Sequence, residues 1–190
     1  MLFNSFAFCC VFFPLVTALY FVLPHRWRWL LLLLASCWFY MAFVPVYILI
    51  LAFTILVDYA AGLLIERNEG PRRKAWLIAS IVANLGVLSV FKYWNFLNQN
   101  IGELFRSAGL GYSVPDLGIL LPIGLSFHTF QSLSYTIEVY RGHQRAERRP
   151  GIFALYVMFY PQLVAGPIER PANLLRQLDI PMEWDRERAV

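Results

Sequence analysis

Charge is scarce in this chain: 15% of its 190 residues are charged against 59% hydrophobic, and the mean hydropathy is +0.55. That balance excludes a soluble domain of this length and leaves an integral membrane protein. Cysteine is scarce too, and Cys9, Cys10 and Cys37 lie in apolar stretches without CxxC spacing or a neighbouring histidine pair, so they read as packing residues. With no HExxH, no Cys/His cluster and no glycine-rich loop ending in Lys-Ser/Thr, metal and nucleotide sites have no support. Gly124-Leu-Ser126 lacks the second glycine of a nucleophile elbow. The net charge of +4 comes from short basic clusters between apolar runs, which fits positive-inside topology and not nucleic-acid binding.

What is present is a succession of membrane-length apolar runs. Residues 2–23 carry no preceding Lys or Arg and no cleavage motif before Pro24, so they predict a retained helix. The apolar run 30–65 is too long for one span and is interrupted at Val44-Pro45, which predicts a short helix over 30–43 and a full one over 46–65. A basic loop over 66–74 precedes a span over 75–91, with Tyr93 and Trp94 as interfacial anchors and a surface-lying amphipathic helix over 94–105. Another helix runs from about residue 117 to Arg141, and the run 152–165, short and meeting Pro161, predicts a re-entrant or broken helix. The expected fold is all-α: a polytopic membrane helix bundle of about five or six membrane segments with interfacial and re-entrant helices, in one domain.

Counting basic residues on alternate loops gives the orientation. Arg26, Arg28, Arg67, Arg72, Arg73, Lys74, Arg141, Arg145, Arg148 and Arg149 fall on one side, Lys92 and Arg106 on the other. The first side is predicted cytoplasmic and the N-terminus outside, provided that the segment 30–43 crosses the membrane.

Two segments put polar groups inside this apolar background. In Leu121 to Gly142, His128, Gln131, Tyr135 and Glu138 fall within about 80° of one another on a helix and form a stripe. In Tyr160 to Pro171, Gln162 and Glu169 accompany Gly166 and Pro167. Polar side chains and irregular backbone at membrane depth require a protein-lined or wet surrounding, so all eight residues are candidate cavity-lining groups. Asp58 stands alone in its span, and pairing with Asn84 on the next would cross-link two helices.

These segments also carry a family resemblance. Leu121-Pro-Ile-Gly-x-Ser-Phe-x-x-Phe-Gln-x-x-Ser-Tyr, Val139-Tyr-Arg-Gly142 and Pro161-Gln-Leu-x-Ala-Gly-Pro-Ile168 resemble the membrane-bound O-acyltransferase family, in its bacterial alginate O-acetyltransferase branch. Met1-Leu-Phe-Asn-Ser, Ala35-Ser-x-x-Phe-Tyr40 and Phe91-Lys-Tyr93 extend the likeness over nearly the whole chain. The resemblance implies a bacterial inner-membrane enzyme with a tunnel, in which an acyl group passes from a cytoplasmic acetyl-CoA-like thioester to a hydroxyl of an extracytoplasmic polysaccharide or to a partner acyl-transfer protein. It implies no bound cofactor. Arg141, Arg145, Arg148 and Arg149 would attract the donor's phosphates.

The family's catalytic histidine sits in a Trp-His-Gly-like setting in the C-terminal half of longer chains, and no such motif occurs here. The resemblance thus implies an N-terminal part, inactive alone, with the histidine beyond Val190; His128 is the substitute candidate for a general base. Two rival readings are a transporter with a His128, Glu138 and Asp58 proton relay, and a scaffolding fragment.

Overall fold

A computed structural model describes residues 6–42, 44–115, 124–162 and 169–182. Every regular element among them is helical: α1 (Phe8–Val22), α2 (His25–Met41), α3 (Tyr47–Arg67), α4 (Gly70–Ser107), α5 (Leu125–Arg141), α6 (Pro150–Met158) and α7 (Pro171–Asp179). Two of them, α3 and α4, are long and apolar enough to cross a membrane. In α1 the ladder widens just before Pro14, which cannot donate: the Phe13 N–H bonds the Phe8 carbonyl five residues back.

Three boundaries differ from the sequence reading. α2 begins at His25 instead of residue 30, because Pro24 takes an extended conformation at its N-cap and the helix starts there. The expected loop 66–74 shrinks to a turn at Asn68 and Glu69. Gly70 sits at φ +57 and Pro71 opens α4, so Arg72, Arg73 and Lys74 lie in its first turns. Third, α4 does not stop near residue 91; it runs unbroken through the segment 94–105 expected to lie on a surface. A change from apolar to amphipathic composition does not interrupt a backbone with no proline between Pro71 and Pro115. At 38 residues α4 is about 57 Å long at 1.5 Å per residue.

Helices α3, α4 and α5 pack together, and α6 packs on α2, α3, α5 and α7. The bundle buries polar side chains beside an apolar core and is also apolar outside. Asp58, Ser80, Asn84, His128, Gln131 and Thr136 are buried, while Trp38, Leu49, Phe53, Leu56, Val82 and Phe130 are exposed. That arrangement departs from the soluble pattern. Cys9 and Cys10, expected to pack, also lie exposed.

One end of the bundle collects the basic residues. Arg148 pairs with Glu66 at 2.6 Å, Arg149 with Asp179 at 2.7 Å, and Arg28 donates to the Met182 carbonyl at 2.6 Å. Arg73 reaches the last carbonyls of α5, Val139 at 3.2 Å and Tyr140 at 2.7 Å, and so caps that helix C-terminus with a cation. From this end α6 runs inward. Beyond it Tyr160 packs among the rings of Phe8, Phe12 and Phe39, and its N–H bonds Ser36 Oγ at 3.1 Å. The chain then returns to α7, whose Asp179 is again at the basic end. Pro150 and Asp179 thus both lie at the basic end, while Tyr160 lies deeper in the bundle. The short amphipathic α7, with Leu174 and Leu175 turned inward, was not legible in the sequence.

Candidate functional site

Helix α6 is nine residues long and ends inside the bundle, which leaves its final carbonyls without helical partners. Helix α5 supplies donors for two of them. His128 Nδ1 lies 2.9 Å from the Val157 carbonyl and Gln131 Nε2 2.6 Å from that of Tyr156. Since a carbonyl only accepts, His128 carries its proton on Nδ1 and, when neutral, presents Nε2 as a lone pair. Gln131 Nε2 also reaches Gln162 Oε1 at 3.2 Å, and the Tyr156 hydroxyl donates back to the Gln131 carbonyl at 3.2 Å.

His128 Nε2, Gln131 Oε1 and the Tyr40 hydroxyl are buried and find no protein partner among the described residues. The rings of Tyr40 and His128 meet edge to face, 5.9 Å between centroids.

The rest of the expected stripe divides. Tyr135 is fully buried, but its hydroxyl accepts the Glu147 N–H at 2.9 Å, so it ties α5 to the loop after it instead of facing a cavity. Its ring lies 4.6 Å from that of Phe153 and covers Gly62, where a Cβ would come within 2.8 Å of the ring. Glu138 is not deep at all: it is a third exposed at the basic end, 3.1 Å from His143 Nδ1 and 4.0 Å from Arg141. Helical periodicity placed it on the right face, but Glu138 lies in the last turn of α5, just before the stop at Gly142, and so reaches the surface. Glu169 is half-buried near Tyr156. Gly166 and Pro167 lie outside the described residues.

A second polar centre adjoins the first on α5. The Asp58 carboxylate accepts from Ser80 Oγ at 2.6 Å and from Asn84 Nδ2 at 2.8 and 2.9 Å, so the pairing expected from sequence is present. Ser80 also lies 3.4 Å from Thr136 on α5, and Ser132 is beside the carboxylate. Sequence reasoning reached Ser132, as a residue beside the stripe, but missed Ser80 and Thr136, although the spacing on α5 was a usable signal. Thr129, Ser132 and Thr136 fall within about 60° on α5, next to the stripe already noted.

Of the four arginines expected to attract a donor, Arg148 and Arg149 are held in ion pairs, the latter bridging Glu147 at 3.0 Å and Asp179. Partial burial pushes the Glu147 carboxyl up, but its hydrogen bonds and charge contact with Arg149 outweigh this and hold it below the ordinary carboxylate range. Arg141 and Arg145 are exposed.

Comparison with known proteins accounts for this pattern. The chain is 40% identical over 182 residues to the probable alginate O-acetylase AlgI of Pseudomonas aeruginosa, covering 94% of this chain and 35% of that protein. It is 37% identical to the AlgI protein of Azotobacter vinelandii, covering 94% and 36%. These relatives agree with the membrane-bound O-acyltransferase resemblance that the motifs carry. A more distant relative, the peptidoglycan O-acetyltransferase of Helicobacter pylori, is 28% identical over 93% of this chain and 38% of its own length. The chain spans about a third of the length of the curated relatives it matches. No protein-family model and no solved structure matches it.

Within the chain the Val139-Tyr-Arg-Gly142 motif has a local physical reason. Gly142 stands at φ +77, its N–H bonds the Val139 carbonyl at 3.1 Å, and the His143 N–H bonds Glu138 at 3.1 Å, which closes α5 in the left-handed turn that glycine favours. The Phe-Gln and Ser-Tyr positions of the longer motif hold Gln131, the cap of α6, and Tyr135, the lid over Gly62.

Proposed function

We propose that the protein transfers an acetyl group from a thioester donor of the acetyl-CoA kind to a hydroxyl of a polysaccharide outside the cell or to a partner that completes the transfer. The carrying observation is that relatives named for O-acetylation of two different polysaccharides align along almost the whole chain. The basic end faces the cytoplasm of a bacterial inner membrane, as the positive-inside rule requires, and the N-terminus lies outside. Arg141 and Arg145, exposed there, meet the donor's phosphates.

In the reaction the thioester C–S bond breaks and an ester C–O bond forms. The hydroxyl proton passes to a base and the thiol leaves protonated. By family resemblance that base is a histidine in a Trp-His-Gly-like setting, which this chain does not contain. The role of α5 and α6 is to form a wall. His128 and Gln131 hold the inner end of α6, and His128 Nε2, Gln131 Oε1 and the Tyr40 hydroxyl give that wall its polar contacts. A dry wall also restricts hydrolysis of the donor.

The rival proton relay needs His128, Asp58 and Glu138 in one chain of contacts. They sit in three separate networks: His128 on α6, Asp58 on α4, Glu138 on His143.

The test is transfer of labelled acetyl from acetyl-CoA into polysaccharide ester by membranes containing the complete protein, assembled with its partners. Base-labile label in the polysaccharide that depends on the protein is expected. Its absence, with donor hydrolysis unchanged by the protein, would overturn the proposal.

A further inference from the structure

The far end of α4 holds a feature that acyl transfer through the bundle does not use. Loop residues after α4 fold back on its last turns. The Tyr112 hydroxyl donates to Asn98 Oδ1 at 2.5 Å, and Asn98 Nδ2 donates to the Val114 carbonyl at 3.0 Å. Two glycines make the return possible. Gly109, at φ +73, terminates the helix, with the Leu110 N–H on the Phe105 carbonyl at 2.9 Å. Gly102 lets the Tyr112 ring lie directly on the helix, where a Cβ would stand 3.1 Å from Cδ1. The Phe105 ring supports Tyr112 from the side at 5.4 Å.

The result is an open pocket of about 350 Å³ lined by Asn98, Gln99, Gly102, Arg106, Tyr112 and Val114. This is within the size range of small-ligand sites, yet unlike most of them its walls are predominantly polar. Asn98 and Tyr112 spend their hydrogen bonds building it. Arg106 does not: Nε donates to the Gly102 carbonyl at 3.2 Å, and among the described residues no carboxylate pairs with its guanidinium. An exposed guanidinium fixed through Nε, with both terminal nitrogens available, suits a planar two-oxygen anion.

Position narrows the ligand. Counted along α4 from Gly70, Asn98 lies about 42 Å and Arg106 about 54 Å from the basic end, against roughly 30 Å of hydrocarbon. The pocket therefore stands clear of the apolar layer on the side opposite the basic cluster. A phospholipid headgroup would bring acyl chains that need an apolar wall, and the exposed aliphatic side chains of these turns, Leu97, Ile101 and Leu104, lie on a different face of α4 from Asn98, Gly102 and Arg106.

We infer that this pocket binds a carboxylate-bearing sugar of the acceptor polysaccharide, with Arg106 on the carboxylate and Tyr112 against the sugar ring. The inference rests on the outward orientation and polysaccharide acceptor proposed above. It gives the acceptor a holding site about 12 to 24 Å beyond the membrane span, so the strand is retained while one of its hydroxyls is acetylated.

The test is binding of a polyuronate oligosaccharide and of a neutral oligosaccharide of equal length to the complete protein in nanodiscs of neutral lipid. The acidic oligomer should bind at least about tenfold more tightly than the neutral one. Arg106→Gln should remove about tenfold or more of that affinity, Arg106→Lys should restore it only in part, and Tyr112→Ala should weaken both. Equal binding of the two oligomers, or acidic binding untouched by Arg106→Gln, would overturn the inference, as would loss of anionic-lipid binding alone in that variant. Because binding is read without donor, its failure is separate from failure of acetyl transfer. A protein that acetylates polysaccharide normally with Arg106→Gln and shows unchanged binding refutes only the pocket.

Discussion

Asp58→Leu should leave a protein that inserts into the membrane at normal levels but unfolds readily once extracted in mild detergent. The two stages respond in opposite directions. A carboxylate costs about 2.5–3.5 kcal/mol on insertion scales, so leucine favours insertion of α3. Assembly of the bundle then suffers, because the Ser80 hydroxyl and the Asn84 amide lose their shared acceptor while fully buried. At roughly 1–3 kcal/mol for each stranded group, the assembled state should lose about 2–6 kcal/mol. Asp58→Asn keeps one acceptor oxygen and should cost about 1 kcal/mol. Detergent-titrated unfolding of the two variants beside the parent reads the difference. An Asp58→Leu protein as resistant as the parent would show that the α3, α4 and α5 junction does not depend on this node.

Gly62→Val should be comparably damaging, for a steric reason. A Cβ at position 62 would lie 2.8 Å from Tyr135 Cε1 and 3.0 Å from its hydroxyl oxygen, and neither can retreat. The ring is fully buried against Phe153 and Tyr156, and the hydroxyl is fixed by the Glu147 N–H. Overpacking usually costs about 1–3 kcal/mol, and a branched side chain against a pinned ring belongs at the upper end. The signature is non-additivity. With Tyr135→Leu in the background, the ring is gone and Gly62→Ala should cost less than in the parent. Equal costs in the two backgrounds, measured by thermal unfolding in detergent, would mean that the helices separate to relieve the contact.

The sequence carried the membrane class, the central span and the Asp58 to Asn84 link. The reason is that a single carboxylate in one apolar run and a single amide in the next have few alternatives to one another. It also carried a short helix after Pro150, since the apolar run there is too short to cross; α6 ends at Met158. It failed where depth matters. The face shared by His128 and Glu138 follows from 3.6-residue periodicity, but periodicity is silent on depth, so Glu138, in the last turn of α5, was placed inside when it sits near the surface.

The purpose of His128 and Gln131 was hidden for a different reason. They cap carbonyls of a helix more than twenty residues onward, and such pairing is a property of the assembled bundle alone. The length of α4 was equally hidden, because amphipathic and apolar stretches can share one uninterrupted helix.

The account turns on α5 serving as wall and cap, with the base elsewhere in the protein, and His128→Asn in the complete protein tests this most directly. Asparagine can still donate an N–H to the Val157 carbonyl but has no ring Nε2 to take a proton. Acetyl transfer measured on folded, quantified protein should stay within about tenfold of the parent, well short of the 10²–10⁴-fold typical for loss of a general base. A His128→Asn protein that folds as the parent does yet loses transfer by that larger factor would contradict the account and make His128 the base.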